Sequence, residues 1–428
     1  MTRSAMSSTP RTSDQSPHAW ADPIRLRSPR SLLPYLGPAF LVSVGYMDPG
    51  NWATDIEGGA RFGYSLLWVL FAANLMALLL QHLSAKLGLA TGLTYPQLCR
   101  EQFPRGLTIF LWVTAEAAAV ATDLAEFLGA ALGFYLLLHI PMLPAAVLTA
   151  VVVFGILALY RYGFRAVELV ILGLVAVVGL AYVFEVWLVQ PDWWGVAEGA
   201  LVPRLSSDSL VIAMGMLGAT VMPHNLYLHS GVILTRRHFS PEHTAGITRA
   251  ALVDSVLALN LAWLVNSAIV VMAAGAFFSQ GLDIDSIEGA HETLTPLLGG
   301  LSAVAFALAL LASGLSSSTT ATLAGQIIVE GFLKIRFGLF LRRLITVIPA
   351  LVVIAAGLDA YWILIASQVA LSVQLPFAIV PLVWLTARRD VMGEHANARW
   401  TTVVASVVAA VIVALNVLLL LRLTGLME

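Results

Sequence analysis

Two four-residue strings, DPGN at 48–51 and MPHN at 222–225, bring polar and soft side chains into the middle of long apolar segments. Each string contains a proline, which removes a hydrogen bond within a helix and clashes with the preceding turn. Both strings should therefore interrupt a membrane helix. Irregular backbone at membrane depth is tolerated only where it is buried in protein or lines a cavity. The two interruptions thus predict a binding site.

The atoms at the two interruptions suit a metal cation. Asp48 offers a carboxylate, Asn51 an amide oxygen and Met222 a thioether sulfur, and unwound backbone near Gly45 and Ala219 offers free carbonyls. A carboxylate at this depth is costly without a cationic partner. Because a thioether is a soft ligand, the mixed set favours Mn²⁺, Fe²⁺ or their neighbours over Mg²⁺ and Ca²⁺. The sequence offers no His/Cys cage of the zinc type, which argues against a permanent structural ion.

A second polar set lies outside these ligands. It consists of Glu116, Asp123 and Glu126 in one apolar segment, Arg342 and Arg343 at the start of another, and His224 beside the second interruption. The spacing of the three carboxylates puts them on roughly one helix face, and histidine exchanges protons near neutral pH. The set predicts either a proton pathway or a structural cluster of ion pairs, and the residues alone leave both open.

Further polar residues in apolar segments give weaker signals. Gln368 is the best of them as a pathway residue, and Pro376 marks a further candidate helix break beside it. Asn266 and the hydroxyl run at 316–320 could line the pathway as well, although hydroxyls in membrane helices more often serve helix packing.

The composition is that of an integral membrane protein. Of 428 residues, 59% are hydrophobic and only 11% are charged, whereas soluble domains carry about 25% charged residues. Cys99 is the one cysteine, which excludes an intramolecular disulfide and a cysteine-based metal site. No basic surface of a nucleic-acid-binding protein and no HExxH, Walker A or GxSxG string occurs, so we expect no nucleic-acid partner, no bound cofactor and no enzyme activity.

The chain divides into a tail and a membrane domain. Residues 1–30 are rich in Ser, Pro and Arg, which predicts a disordered cytoplasmic tail. This segment has no apolar run of the length that a cleavable signal peptide requires. Residues 31–428 form the predicted transmembrane domain.

Eleven segments are long enough to be membrane helices, which need about 20 apolar residues. They are 32–57, 64–90, 107–138, 143–160, 166–190, 209–235, 249–279, 295–332, 340–357, 361–386 and 400–423. With the N-terminus inside, 20 of the 23 Lys and Arg residues fall on the cytoplasmic side, as the positive-inside rule requires. The C-terminus is then extracytoplasmic.

The interrupted segments are the first and the sixth. Segments one to five and six to ten can be two repeats. Because five is an odd number of membrane crossings, the second repeat starts on the opposite side of the membrane and has the inverted topology. That arrangement is the inverted repeat of the LeuT-type fold, in which broken helices hold the substrate of a secondary transporter. The eleventh segment is then an addition.

The chain resembles the Nramp family of divalent metal-ion transporters, in its bacterial proton-coupled manganese branch. The resemblance runs from residue 31 to residue 423. Its motifs are GYMDPGNWATDIEGGARFGYSLLW at 45–68, ATDLAEFLGAA at 121–131, GATVMPHNLYLHS at 218–230, LLASGLSSS at 310–318 and SQVALSVQLPFAIVPL at 367–382. The combination of DPGN with MPH is highly specific.

The resemblance implies roles for the candidate residues. Side chains of Asp48, Asn51 and Met222 and backbone carbonyls of Gly45 and Ala219 would bind the metal, joined by Gln368 in an occluded or outward-open state. The expected proton route and its salt bridges would comprise His224, Glu116, Asp123, Glu126, Arg342 and Arg343. Similar proteins often have alanine where Gly45 stands, which leaves a carbonyl role intact.

The favoured function is proton-coupled uptake of a divalent transition metal across the cytoplasmic (inner) membrane by alternating access. Its partners would be the metal ion, protons and the lipid bilayer, with no obligatory protein partner evident. One alternative is a transporter of organic solutes on the same fold, although Asp48 would repel a substrate carboxylate. Another is a channel or metal sensor without alternating access.

Overall fold

The computed structural model describes residues 37–236, 244–282, 284, 286–336 and 338–423, which form helices joined by turns. The predicted tail at 1–30 lies outside the described residues. No strand occurs in the part of the chain that is described. The all-helical prediction is confirmed.

The described residues of the first half form eight α-helices. They are α1 (Pro38–Ser43), α2 (Pro49–Phe62), α3 (Leu67–Thr91), α4 (Tyr95–Gln102), α5 (Arg105–Leu138), α6 (Met142–Ala158), α7 (Phe164–Val189) and α8 (Trp193–Leu201). Among them, α4 and α8 are short connecting helices.

Nine α-helices lie in the described part of the second half. They are α9 (Ser209–Thr220), α10 (Pro223–Val232), α11 (Thr244–Ala276), α12 (Ile287–Leu298), α13 (Gly300–Leu333), α14 (Leu339–Ala355), α15 (Ala360–Ala387), α16 (Arg389–Met392) and α17 (Arg399–Leu423).

Nine helical runs among the described residues are long and apolar enough to cross a membrane. The run Pro49–Thr91 is counted once, although it joins α2 to α3 through a 3-10 turn at Gly63–Leu66. The helix α14, which has 17 residues, is shorter than these runs. The outward faces are apolar, as lipid contact requires; on α7, for example, Leu180 is 70% exposed.

Two details of the sequence prediction are wrong. The segment predicted at 295–332 is interrupted at Gly299, where φ is +96° and α12 gives way to α13. The candidate break at Pro376 does not occur, because α15 continues through it. Neighbouring helices and local adjustments can satisfy the backbone groups that a proline frees in a membrane helix, so proline alone does not predict a break.

The short connecting helices start at polar caps, which explains their positions. Thr94 Oγ1 accepts a hydrogen bond from the Gln97 backbone, and the Gln97 side chain accepts one from the Thr94 backbone. Asp192 starts α8 by accepting a hydrogen bond from Trp194 N at 3.1 Å. Such side-chain acceptors satisfy N–H groups that have no partner within the helix.

The helices α5 and α13 form the centre of the bundle and approach closely at two glycines. A Cβ at residue 314 would lie 2.4 Å from the backbone nitrogen of Ala130, and a Cβ at residue 133 would lie 2.6 Å from Cα of Leu311. Small residues permit such backbone approach between membrane helices. The helix that carries Asp123 and Glu126 is therefore fixed against the helix that carries Ser313 and the hydroxyl run at 316–320.

We expect Gly314→Ala to lower the thermal unfolding midpoint of the purified protein. Replacing a helical glycine by alanine usually stabilises by about 0.4–1 kcal/mol, but overpacking a tight contact costs about 1–3 kcal/mol. The matched control is Gly173→Ala in α7, where an added Cβ meets nothing within 4 Å. Equal midpoints for the two variants would contradict the tight contact.

Candidate metal site and ionisable network

The first interruption separates α1 from α2. A 3-10 turn at Val44–Met47 follows α1, and the extended backbone of Asp48 (φ −70°, ψ 163°) precedes α2. Asp48 Oδ1 caps α2 by accepting a hydrogen bond from Asn51 N at 2.8 Å. Proline lacks a backbone N–H, and at the first position of a helix that group would have no partner within the helix anyway. The string DPGN therefore starts α2 as well as ending the preceding helical segment.

The second interruption has the same construction. The helix α9 ends at Thr220, Val221 and Met222 leave helical geometry, and α10 starts at Pro223. Met222 is the N-cap residue of α10, as Asp48 is of α2, and its side chain is completely buried. Both broken helices that the sequence predicts are present.

Three polar side chains meet at the first interruption. Gln368 on α15 donates from Nε2 towards Asp48 Oδ2 at 3.5 Å. All three of Asp48, Asn51 and Gln368 are at most 1% exposed. Asn51 Oδ1 and Gln368 Oε1 have no hydrogen-bond partner among the described residues. Two buried amide oxygens thus lie without a donor in a site that also holds a carboxylate.

Met222 packs against α15, the helix that also carries Gln368. Its side chain packs in a small cluster with Ala118 of α5 and Leu371 of α15. Leu371 follows Gln368 by one turn, so α15 links the sulfur to the amide that contacts Asp48. Ala219 is in the last turn of α9 and Gly45 in the 3-10 turn, each beside its interruption.

Side chains that sequence reasoning had not assigned hold the unwound backbone. The Tyr46 carbonyl accepts hydrogen bonds from Asn51 Nδ2 at 2.5 Å and from Asn266 Nδ2 at 2.7 Å. The Met47 carbonyl accepts one from Ser313 Oγ at 2.5 Å. Asn266 and Ser313 therefore bind the first interruption rather than merely packing helices. The polar character of Asn266 in an apolar segment was the available signal.

The predicted ionisable residues form two ion pairs between α5 and α14. Arg343 Nη1 lies 3.0 Å from Asp123 Oδ1, with both side chains fully buried, and Arg342 pairs with Glu116. Arg343 also donates to Ser318 of α13. Because an unpaired buried charge is strongly destabilising, each arginine fixes the position of the carboxylate opposite it.

Glu126 and His224 are two buried ionisable residues outside these ion pairs. Glu126 is 0% exposed and has no ion-pair partner among the residues described. His224 Nδ1 lies 3.4 Å from Thr122 Oγ1, and its Nε2 has no hydrogen-bond partner in the described part of the chain. Thr122 precedes Asp123 on α5, so the histidine next to Met222 reaches the helix that carries the carboxylates.

A further buried network connects the first interruption to α3 and α10. Gln81 Nε2 donates to the Tyr46 hydroxyl at 2.6 Å, and Gln81 Oε1 lies 2.8 Å from His229 Nδ1. The spacing of His229 in the sequence did not reveal this contact, because the two partners are far apart along the chain.

This arrangement can bind a cation and release it. One carboxylate, neutral oxygens and a sulfur surround the interruptions, and no group of three or more His, Cys, Asp or Glu residues able to hold a metal occurs among the described residues. A site with a single anionic group binds a dication less permanently than a structural metal cage does.

Comparisons with known proteins identify the family of the chain. Residues 39–422 match the family described as natural resistance-associated macrophage protein-like, Nramp. The chain is 48% identical over 393 residues to a divalent metal cation transporter, MntH, of Caldanaerobacter subterraneus subsp. tengcongensis, covering 91% of this chain and 93% of that one. A second MntH, from Deinococcus radiodurans, is 49% identical over 402 residues, covering 93% and 92%.

Solved structures extend the comparison to the fold. The crystal structure of the Eremococcus coleocola manganese transporter matches with a TM-score of 0.82 and 36% identity, covering 91% of this chain and 86% of that one. Mhp1, a nucleobase-cation-symport-1 family transporter, matches with a TM-score of 0.61 at 14% identity, over 90% and 91% of the two chains, which shows a shared fold alone. The chain therefore belongs to the Nramp family of metal-ion transporters, as its two helix interruptions predicted, and it is not an enzyme.

Proposed function

We propose that the chain takes up divalent transition-metal ions, Mn²⁺ and Fe²⁺ among them, together with protons across the cytoplasmic membrane by alternating access. The observation that carries the proposal is the buried site at the first interruption. There, the Asp48 carboxylate lies with the unpartnered amide oxygens of Asn51 and Gln368. A dication would neutralise the carboxylate and give both oxygens a partner, which relieves the cost of burying them.

The choice of metal rests on Met222. Carboxylate and amide oxygens alone would suit Mg²⁺ or Ca²⁺, whereas a thioether favours later transition metals. The buried position of Met222 at the second interruption supports such a role. The relatives named divalent metal cation transporters and the structure named a manganese transporter support it as well. Carbonyls of Gly45 and Ala219 would complete the site.

Proton transfer would follow the ionisable network. His224 would take up a proton beside the metal, and Glu126 and Asp123 would pass it along α5 towards the pair formed by Glu116 and Arg342. Arg342 and Arg343 would hold the carboxylates in place. The observation in favour is the position of Glu126, a buried carboxyl without an ion-pair partner among the described residues, one turn from Asp123.

The helices support eleven spans with a LeuT-type inverted repeat. The broken pairs α1–α2 and α9–α10 would be the first and sixth spans, α14 the ninth and α17 the eleventh. The packing has the expected symmetry: α7 packs against α13, and the corresponding α15 packs against α5. In transporters built this way, one half rocks against the other around a site at the membrane midplane.

The membrane potential would drive import with this orientation. The proposal keeps the N-terminus cytoplasmic and the C-terminus extracytoplasmic, because the loops rich in Lys and Arg then face inside. Moving one elementary charge is worth about 2.3 kcal/mol per 100 mV, so a dication entering a negative interior gains about twice that.

Uptake into proteoliposomes tests the proposal. The purified protein should import Mn²⁺ against its concentration gradient with saturation, and an inward proton gradient should accelerate import while the lumen acidifies. Conduction that follows only the electrochemical gradient would indicate a channel instead. Organic-solute uptake without metal uptake would favour the alternative transporter class.

Asp48→Ala should abolish transport of every metal. The substitution removes the single anionic ligand, and a dication then faces only dipoles in a site of low dielectric, so we expect Mn²⁺ uptake below about a tenth of the wild-type rate. The matched control is Asp192→Ala, another N-cap aspartate, which lies exposed at the start of α8. Substantial uptake by Asp48→Ala at equal expression would contradict the site.

Asp123→Asn should impair proton movement more than metal binding. Asp123 contacts Arg343 rather than any proposed ligand, and asparagine cannot carry the proton. Parallel measurements are Mn²⁺ affinity and luminal pH. Asp390→Asn, at the exposed pair with Arg388, provides the control. Loss of Mn²⁺ affinity with intact proton flux would show that the two functions are divided differently.

Met222→Ala should weaken discrimination more than transport. The thioether is neutral, so its loss leaves the charge of the site unchanged, and oxygen ligands or water can still bind Mn²⁺. We expect reduced but measurable Mn²⁺ uptake that excess Ca²⁺ or Mg²⁺ now inhibits. Met216→Ala, at a buried methionine in an apolar cluster, controls for the cavity. If both variants resist the competitors as wild type does, the sulfur does not set selectivity.

A further inference from the structure

Asn225 occupies the same place in the second interruption that Asn51 occupies in the first. Each asparagine lies three residues after the N-cap residue of its half-helix, Asp48 or Met222, and two residues after the proline that starts it. The proposed function makes Asn51 a ligand through its side chain. It gives Asn225 no role, although the two interruptions are built alike.

The surroundings of Asn225 differ from those of Asn51. The Asn51 amide nitrogen donates to the Tyr46 carbonyl in its own interruption. Asn225 is 0% exposed, and neither its Oδ1 nor its Nδ2 has a hydrogen-bond partner among the residues that the structure describes. Burying an amide without partners is costly. An amide that is kept there points to a ligand that is bound for part of the transport cycle.

Gly45 makes room for this amide at the other interruption. An ideal Cβ on residue 45 would lie 2.4 Å from Asn225 Nδ2 and 2.9 Å from its Oδ1. A methyl group there would force the amide to move. The side chain of Asn225 therefore crosses from α10 to the backbone between α1 and α2, next to the residue whose carbonyl is a proposed metal ligand.

We propose that Asn225 is a further ligand of the transported ion and that Gly45 is the residue that admits it. The proposal rests on the function proposed above. The amide oxygen of Asn225 binds the ion from the second interruption, as the amide oxygen of Asn51 does from the first. A neutral oxygen increases the number of ligands without adding charge, so the ion is held more tightly and can still leave.

Mn²⁺ binding to the purified full-length protein, measured by calorimetry, tests the proposal. Asn225→Ala should raise the Kd by about tenfold, the effect of losing one interaction with a charged group. Asn416→Ala is the matched control, because Asn416 is also buried but bonds to Ile412 O within α17. A Kd for Asn225→Ala within about twofold of wild type, less than such a contact contributes, would overturn the proposal.

A double-mutant cycle tests the role of Gly45. Gly45→Ala should weaken Mn²⁺ binding in the wild-type background, because the methyl group displaces the Asn225 amide. In the Asn225→Ala background the same substitution should have little further effect, since the amide is gone and alanine leaves space. Effects that simply add would show that the two residues act independently, and the proposed pairing would be wrong.

A conservative variant covers the case in which Asn225→Ala does not fold. Asn225→Asp has the same shape, and its carboxylate should bind Mn²⁺ at least as tightly as the amide does. Weaker binding than wild type would contradict a ligand role. Asp48→Ala, measured alongside, separates the two proposals: if it loses Mn²⁺ binding while Asn225→Ala keeps it, the transport function stands and the role of Asn225 falls.

Discussion

The structure depends on satisfying the backbone of two helices that break inside a membrane. Lipid offers no hydrogen bonds, so every group freed by a break must find a partner in the protein or face a cavity. At the first break the Tyr46 carbonyl receives two side-chain donors and the Met47 carbonyl receives a third from Ser313. The helices α11 and α13, which supply Asn266 and Ser313, thereby become part of the site.

The central pair of helices holds these donors in place. The helices α5 and α13 approach closely at Gly133 and Gly314, which fixes the height of Ser313 relative to the break. The helix α5 also packs closely against the first break, because a Cβ at Gly129 would lie 2.1 Å from the Pro49 side chain. The proline that starts α2 therefore packs directly against the central helix, and the position of the Asp48 cap follows from this contact.

The helix α5 packs beside the first break and also carries the carboxylates of the two ion pairs. At the first break, Asp48 lies with the buried amides of Asn51 and Gln368, and it has no ion-pair partner among the described residues. Further along α5, Asp123 and Glu116 are balanced by the fixed charges of Arg343 and Arg342. The arginines neutralise the carboxylates of the ion pairs, whereas Asp48 has no such cationic partner among the described residues.

The sequence by itself determined the breaks and their chemistry. Proline and an N-capping residue act through local backbone geometry, so the breaks at Asp48 and Met222 could be predicted without coordinates. The family followed from the same strings. The Pro376 prediction failed because continuity of a helix depends on what surrounds it rather than on its own residues.

Only the tertiary structure decided which partners meet. The sequence offered three carboxylates and two arginines. The crossing of α5 with α14 matched Arg342 to Glu116 and Arg343 to Asp123, while Glu126 is in no ion pair among the described residues. It likewise brought Asn266 to Tyr46 and Asn225 to Gly45. These contacts join residues distant along the chain, and their geometry is set by how whole helices pack, which no local pattern encodes.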